Sequence, residues 1–482
     1  MTKIYQLLLL VSVIITCCFQ EQQSMVSAGE EVAADGGGGD INGADDDNSD
    51  ADDTVLWQCD EMAPPTCDLD VTTDIIETPE GLHMQYWIYS PVAATNEITV
   101  NSADELGPPL IVLQGGPGLP HNYDLMLRVL ACPHPTKAAA GGEEEGDGGG
   151  SSGLGRKVIF YDPVGIGVGS AIPNNTSIED DYPFLLDIKY RAMEVKMLID
   201  TVLPNDEPYH IVGDSCGTQT AMEYATSTIG SSDVNSGRLV SLVMNGPIPN
   251  MVDYYEFQTD EIDGTIGRMP HYFQRRWKEL IESGDYMGSE FQTMDGILNG
   301  LWNYRSGILP DCTLPSFINI NLDIYVGMFG ISEFLPPTGT LKDFDMYPHL
   351  HKLDTIPILL TSGEYDMIRP KTIEKMKTVL PLSETQLLKD SGHSSLGDVT
   401  QDLLNTVSNF IHRVEKSAEL GKPFVPMINR NDKDNASTIN SSVVSVFTVN
   451  IVLTVLVSIG IGYILGSQHQ KLMTKGGYEP IE

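Results

Sequence analysis

The sequence predicts an α/β fold: a mostly parallel sheet with helices on both faces and an inserted helical cap. Three observations carry this. Apolar runs of strand length alternate with longer helical patterns, which implies parallel strands joined by crossover helices. From Ile248 to about Tyr347 that alternation gives way to helical patterns alone. The apolar run Tyr209-His210-Ile211-Val212 enters Gly213-Asp214-Ser215-Cys216-Gly217, a tight turn, and Thr218–Ala225 then reads as a helix.

That turn is a G-x-S-x-G, the nucleophile elbow of α/β-hydrolases, which sets a serine on a sharp strand-to-helix bend. The glycines are needed because side chains there would collide with the crowded backbone. The helix N-terminus beneath Ser215 favours negative charge developing above it. Upstream, the strand Pro109–Leu113 runs into Gln114-Gly115-Gly116-Pro117-Gly118. Amides of Gly115 and Gly116, with that of Cys216, are the expected oxyanion hole.

Downstream, Ile356–Leu360 is an apolar strand leading to Glu364-Tyr365-Asp366, and Gln386–Lys389 is a strand leading to His393. The order serine, aspartate, histidine is that of the α/β-hydrolase fold. It assigns Ser215 as nucleophile, His393 as general base and then acid, and Asp366 as the group orienting the imidazole. With an ordinary histidine pKa of about 6.5, activity is expected to decline below about pH 6.

The remaining elements follow the same logic. Ile75–Tyr89 is an antiparallel hairpin turning at Glu80-Gly81, Lys157–Tyr161 and Leu239–Asn245 are strands, and Tyr190–Leu203 is a helix. The cap is expected to hold helices over 254–266, 270–283 and 289–304 and a segment through Glu333. Its aromatic stripe Tyr272, Phe273 and Trp277 reads as cap core. Val399–Glu415 is the last helix.

The chain resembles the proline iminopeptidase family of α/β-hydrolases, with its tricorn-interacting-factor and amino-acid-amidase relatives. Carrying the resemblance, from about Thr72 to Lys416, are Gly115–Gly118 with His121, Tyr161–Ser170, the elbow, Tyr325–Phe334 and Thr338–Asp345. It implies release of N-terminal amino acids or hydrolysis of amino-acid amides without a cofactor. It also implies that Glu333 grips the substrate α-amine, a charge-assisted contact that orients and selects. Three positions depart from the family pattern. Gln114 replaces a histidine but keeps a hydrogen-bonding side chain, and Asp162-Pro163-Val164-Gly165 loses polar groups. Met367 stands where a second amine-binding glutamate is common. These leave open an ester or blocked-amide hydrolase, or a binding or adhesion ectodomain on the same scaffold.

The chain has 482 residues and a net charge of −39, which argues against nucleic acid as a partner. Residues 1–28 read as a signal peptide ending at Val26-Ser27-Ala28, with an uncleaved anchor as the alternative. Residues 29–56 read as an acidic, glycine-rich disordered leader. The hydrolase core occupies 57–247, with a low-complexity insertion at 138–155, and 348–419. The cap is 248–347 and a stalk is 420–442. Residues 443–466 lack any charge and are long enough to span a bilayer, leaving the tail 467–482.

This organisation predicts a single-pass type I membrane protein of the endosome, lysosome or vacuole, with the plasma membrane next. Tyr478 and Ile481 resemble a tyrosine-based sorting signal read by an adaptor. Sequons at Asn174, Asn175, Asn435 and Asn440 are glycosylation candidates. Cys59, Cys67, Cys132 and Cys312 allow three disulfide pairings, of which Cys59–Cys67 with Cys132–Cys312 is preferred. No spacing suits a metal.

Overall fold

The computed structural model describes residues 58–92, 106–133, 155–173, 176–204, 206–230, 235–307 and 309–427. The expected leader sequences, low-complexity insertion, sequons, apolar span and sorting signal lie outside these residues, except at the insertion's last position. So does the expected stalk beyond residue 427.

Eight strands form one sheet in the order β1-β2-β4-β3-β5-β6-β7-β8. β1 (Leu69–Glu77) and β2 (His83–Pro91) form the antiparallel hairpin. β2 also runs antiparallel to β4 (Arg156–Asp162). β3 (Gly107–Leu113), β5 (Tyr209–Asp214), β6 (Leu239–Asn245), β7 (Ile358–Gly363) and β8 (Ser383–Leu388) continue the sheet in parallel from β4. The central strands are buried on both faces, which is why β3, β5 and β6 read as nearly unbroken apolar runs. One face packs on α1 (Ile188–Val202) and α2 (Cys216–Thr228). The other packs on α8 (Thr400–Glu419), through Leu403, Val407, Phe410 and Ile411. This is the α/β-hydrolase arrangement, in which parallel strands deliver their C-terminal ends to one edge.

The cap enters between β6 and β7 as α3 (Met251–Thr259), α4 (His271–Ser283), α5 (Ser289–Trp302), α6 (Leu314–Ile318) and α7 (Leu322–Met328). The helix expected over 254–266 instead begins at Met251 and ends at Thr259. Asp260 Oδ1 accepts from the Ile262 and Asp263 amides and folds the chain into a turn. Gly264 then packs so closely that an added Cβ would lie 2.3 Å from the Gln258 carbonyl oxygen. Phe273 and Trp277 are buried in the cap, with Trp277 stacked on Phe291, while Tyr272 is exposed.

Two disulfides join Cys59 to Cys312 and Cys67 to Cys132, so the preferred pairing is corrected. Closure entropy grows only slowly with loop length, so it does little to favour the short Cys59–Cys67 loop. Packing decides instead. The Cys59 amide donates to Asp311 beside Cys312, which ties the chain's first described helical turn to the cap. Asp311 with these two sulfurs is the one metal-type cluster among the described residues, and its cysteines are spent in the disulfide.

The placement as a type I membrane protein of the endosome, lysosome or vacuole is also corrected. Among the described residues no helix is long and apolar enough to cross a membrane.

Candidate active site

Ser215 leaves β5 with φ at 50°, left-handed backbone that costs a non-glycine residue about 1–3 kcal/mol. The surroundings enforce it. A Cβ at Gly217 would lie 1.9 Å from the Leu113 carbonyl oxygen, and one at Gly213 would lie 2.8 Å from that of Gly217. The two glycines of the elbow therefore let α2 approach β3 and lift Ser215 to the strand edge.

Ser215 Oγ lies 2.8 Å from His393 Nε2, and His393 Nδ1 lies 2.8 Å from Asp366 Oδ1. All three are buried. The Asp366 carboxylate is held by the amides of Ile368 at 2.7 Å and Gly363 at 3.3 Å. Burial pushes the His393 imidazole down, but the carboxylates of Asp366, Glu333 and Asp214 outweigh it and hold it up at about 9. The expectation of an ordinary histidine near 6.5 took no account of these acids, two of which come from elsewhere in the chain.

Sequence reasoning missed Gly246, which follows β6 with φ at 57°. A Cβ there would sit 2.5 Å from His393 Cε1, so glycine makes room for the imidazole. The only local signal was a glycine directly after a strand.

The oxyanion turn lies over the serine: a Cβ at Gly115 would be 3.3 Å from Ser215 Cβ and 3.2 Å from Asp214 Oδ2. The Gly115 amide faces the fully buried Asp124, whose oxygens have no other hydrogen-bond donor among the described residues. Gly116 and Cys216 remain as the other two expected donors. Cys216 opens α2, so its N–H belongs to the orphan group at a helix start. Its thiol is buried and pushed up to about 12, first by burial, and is no nucleophile.

Asp124 and Asp214 form an acid pair behind this turn that sequence reasoning did not single out. Burial and the Asp214 charge raise Asp124 well above the carboxylate range. Burial lifts Asp214 to about 6, against the lowering effects of His393 and the Asn245 side chain.

Glu333 reaches the same site from the cap. Its main-chain carbonyl accepts from the Tyr254 hydroxyl at 2.9 Å and Gln258 Nε2 at 3.0 Å, and Asn303 Nδ2 donates to its Oε2 at 2.9 Å. Burial raises it to about 7, opposed by His393 and reinforced by Asp295 and Asp366. Met367 is buried, with its sulfur 2.9 Å from the Tyr254 hydroxyl, so an apolar contact between cap and core takes that position. His121 lies away from the triad: its amide donates to Asp162 Oδ1 at 2.7 Å and its ring stacks on Trp87. The hydrogen bond expected to be kept by Gln114 is missing at Nε2, which is buried without a partner.

A pocket beside the oxyanion turn is lined by Gly115, Pro117, Tyr161, Arg191, Cys216 and Met328. Arg191 is neutralised there by Glu194, with Nη1 3.1 Å from its carboxylate.

No family model matches the chain. It is 25% identical over 309 residues to a proline iminopeptidase of Clostridium botulinum, covering 63% of this chain and 90% of that one. A proline iminopeptidase of Heyndrickxia coagulans is 27% identical over 310 residues, 64% of this chain and 92% of the relative. The chain is similar to the proline iminopeptidases. Among solved structures, the Mycobacterium smegmatis proline iminopeptidase superposes with a TM-score of 0.56 at 21% identity, covering 72% of this chain and all of that one. VinJ superposes at 0.54 and 17% identity, over 73% and 99% of the two chains. These structural likenesses speak for the fold. Together the relatives and the fold make the chain a hydrolase of serine type.

Proposed function

We propose that the chain is an aminopeptidase that releases N-terminal amino acids from small peptides or hydrolyses amino-acid amides. The observation that carries this reading is the hydrogen-bonded run Asp366–His393–Ser215 with the half-buried Glu333 carboxyl beside it.

In this reading Ser215 Oγ attacks the substrate carbonyl carbon while its proton passes to His393 Nε2. The oxyanion of the tetrahedral intermediate takes hydrogen bonds from the amides of Gly116 and Cys216. His393 then gives its proton to the leaving amine nitrogen, and the acyl group stays on Ser215 as an ester. Water enters, loses a proton to His393 and attacks the ester carbon; the ester bond to Ser215 Oγ then breaks, His393 returns the proton to Oγ, and the amino acid leaves. Asp366 accepts a hydrogen bond from Nδ1–H throughout, holding the tautomer and stabilising the imidazolium. Every proton and electron pair is accounted for within the chain, the substrate and water.

Glu333 supplies the preference for a free amine. A half-buried carboxylate with an amide partner and, among the described residues, no salt bridge beyond the attraction of His393 is set to receive an ammonium group. The ester or blocked-amide reading would give that carboxylate no cation from the substrate.

The test is hydrolysis of proline and alanine arylamides, free and N-acetylated, by the purified protein, with Ser215→Ala and Glu333→Gln. Serine-dependent cleavage that strongly prefers free-amine substrates, with the preference lost on Glu333→Gln, supports the reading. Cleavage of the acetylated compounds alone would discard the aminopeptidase and keep the hydrolase.

A further inference from the structure

Asn303 follows the last residue of α5 and lies between the two loops that carry the chemistry. On one side its Nδ2 donates to Glu333 Oε2 at 2.9 Å. On the other its Oδ1 accepts from Ser394 Oγ at 2.9 Å. Its main-chain carbonyl takes the Ser394 amide, and that of Trp302 takes the amide of His393, both at 2.9 Å. The histidine loop is thus fastened to the end of a cap helix by three hydrogen bonds between residues 302–303 and 393–394, counting only those just named. The fit is tight. A Cβ at Gly392 would lie 2.6 Å from the Asn303 carbonyl oxygen and 2.8 Å from that of Trp302.

The chemistry of this position asks for an amide. A carboxylate at Glu333 needs a donor and the Ser394 hydroxyl needs an acceptor, and one asparagine side chain supplies both. Aspartate would supply no donor, and alanine would leave both neighbours unmet. The network continues, because Tyr123 Oη lies 2.9 Å from Ser394 Oγ and the Tyr123 ring packs against Gly115 of the oxyanion turn. With the Ser394 proton directed at Asn303, the Tyr123 hydroxyl is the donor in that contact.

We propose that Asn303 is a positioning residue that couples occupancy of the Glu333 anchor to the placement of His393, so that a free α-ammonium raises kcat as well as affinity. The proposal rests on the reading of Glu333 as the amine anchor. An arriving ammonium forms a charge-assisted bond with the carboxylate, stronger than the neutral contact to Asn303. Asn303 fixes the orientation of the carboxylate that receives it, and the same side chain holds Ser394 next to the imidazole. The electrostatics run in the same direction. Glu333 is one of the carboxylates that keep His393 protonated, and a bound ammonium cancels its charge and frees the imidazole to act as base.

The experiment measures kcat and KM for free and N-acetylated prolyl arylamides with the wild type, Asn303→Ala, Asn303→Asp and Glu333→Gln. The expected result is that both Asn303 variants reduce the free-to-acetylated ratio of kcat by about tenfold, a loss in the reaction step rather than in binding. Asn303→Asp keeps the shape and the acceptor for Ser394, so it reports even where the alanine variant fails to fold. It should also raise the apparent pKa of the base, because it adds a carboxylate near His393. Equal kcat losses on both substrates would reduce Asn303 to a structural support and overturn the proposal. If Glu333→Gln preserves the preference for free amines, the anchor itself fails and the coupling falls with it. If Glu333→Gln removes the preference while both Asn303 variants keep it, the anchor stands and the coupling alone is overturned.

Discussion

His393 Nε2 stands 2.8 Å from Ser215 Oγ although 178 residues separate the two in the chain. The contact depends on Gly246, a third residue distant from both in sequence or in role, whose missing side chain is the space the imidazole occupies. Gly246→Ala is expected to displace His393 while leaving the sheet intact. A misplacement of about 1 Å at a reacting group costs on the order of 10²-fold in rate. The check is kcat alongside a circular dichroism melt: a near-normal spectrum with kcat down by about that factor supports the steric role. Unchanged kcat would show that the loop accommodates the methyl group.

The pH dependence follows from the acids around the imidazole. In the proposed mechanism His393 must be neutral to accept the serine proton, and the folded protein holds it protonated up to about 9. Activity on an N-acetylated substrate, which brings no cation, should therefore climb from neutral pH toward about 9. Asp214→Asn removes one of the three carboxylates and should move the rise to lower pH. A profile of kcat/KM against pH reports these values for the free enzyme. A plateau already reached at pH 6.5 would contradict the electrostatics described here.

Asp124 offers a stability test with a definite sign. Its folded pKa is raised well above the ordinary value, chiefly by burial and then by Asp214. Between the unfolded value of about 3.9 and the folded value, the native state binds more protons than the unfolded chain, so stability falls as pH rises through that window. Asp124→Asn removes the buried charge and is expected to stabilise the protein at pH 8 by roughly 1–3 kcal/mol, with little gain at pH 4. Denaturant melts at the two pH values decide it, and a larger gain at pH 4 would reverse the argument.

The disulfides can be read directly. Peptide mapping without reduction should recover Cys59 linked to Cys312 and Cys67 linked to Cys132. Each bond is expected to contribute about 2–5 kcal/mol, so reduction should lower the melting temperature markedly. The Cys67–Cys132 bridge lies inside the loop closed by Cys59–Cys312 and shortens it, so the two contributions should not add fully. Recovery of a Cys59–Cys67 peptide would overturn the arrangement.

Much of the fold and the triad could be read in order along the chain. Tyr209–Gly217, Pro109–Gly118 and the strand before Asp366 are contiguous segments in which apolar run, glycine and functional residue follow one another. Chemistry built on a single strand end leaves its mark locally, because the residues that position a group are its immediate neighbours. The end of α3 was misjudged for a related reason. Periodicity continues through Ile266, but the Asp260 side chain offers the backbone a turn in place of the next helical bonds.

The amino-acid order alone thus specifies the sheet, the inserted cap, and which serine, aspartate and histidine stand at strand ends. It does so because strand pattern, elbow glycines and chain order are one-dimensional properties. Folding in three dimensions chose the partners. It set Asn303 between Glu333 and Ser394, cleared the space at Gly246, paired Cys59 with Cys312, and buried Asp124 behind the oxyanion turn, facing the Gly115 amide. Each of these joins segments far apart in the chain, and the distance and burial that give them their energies exist only once those segments are packed together.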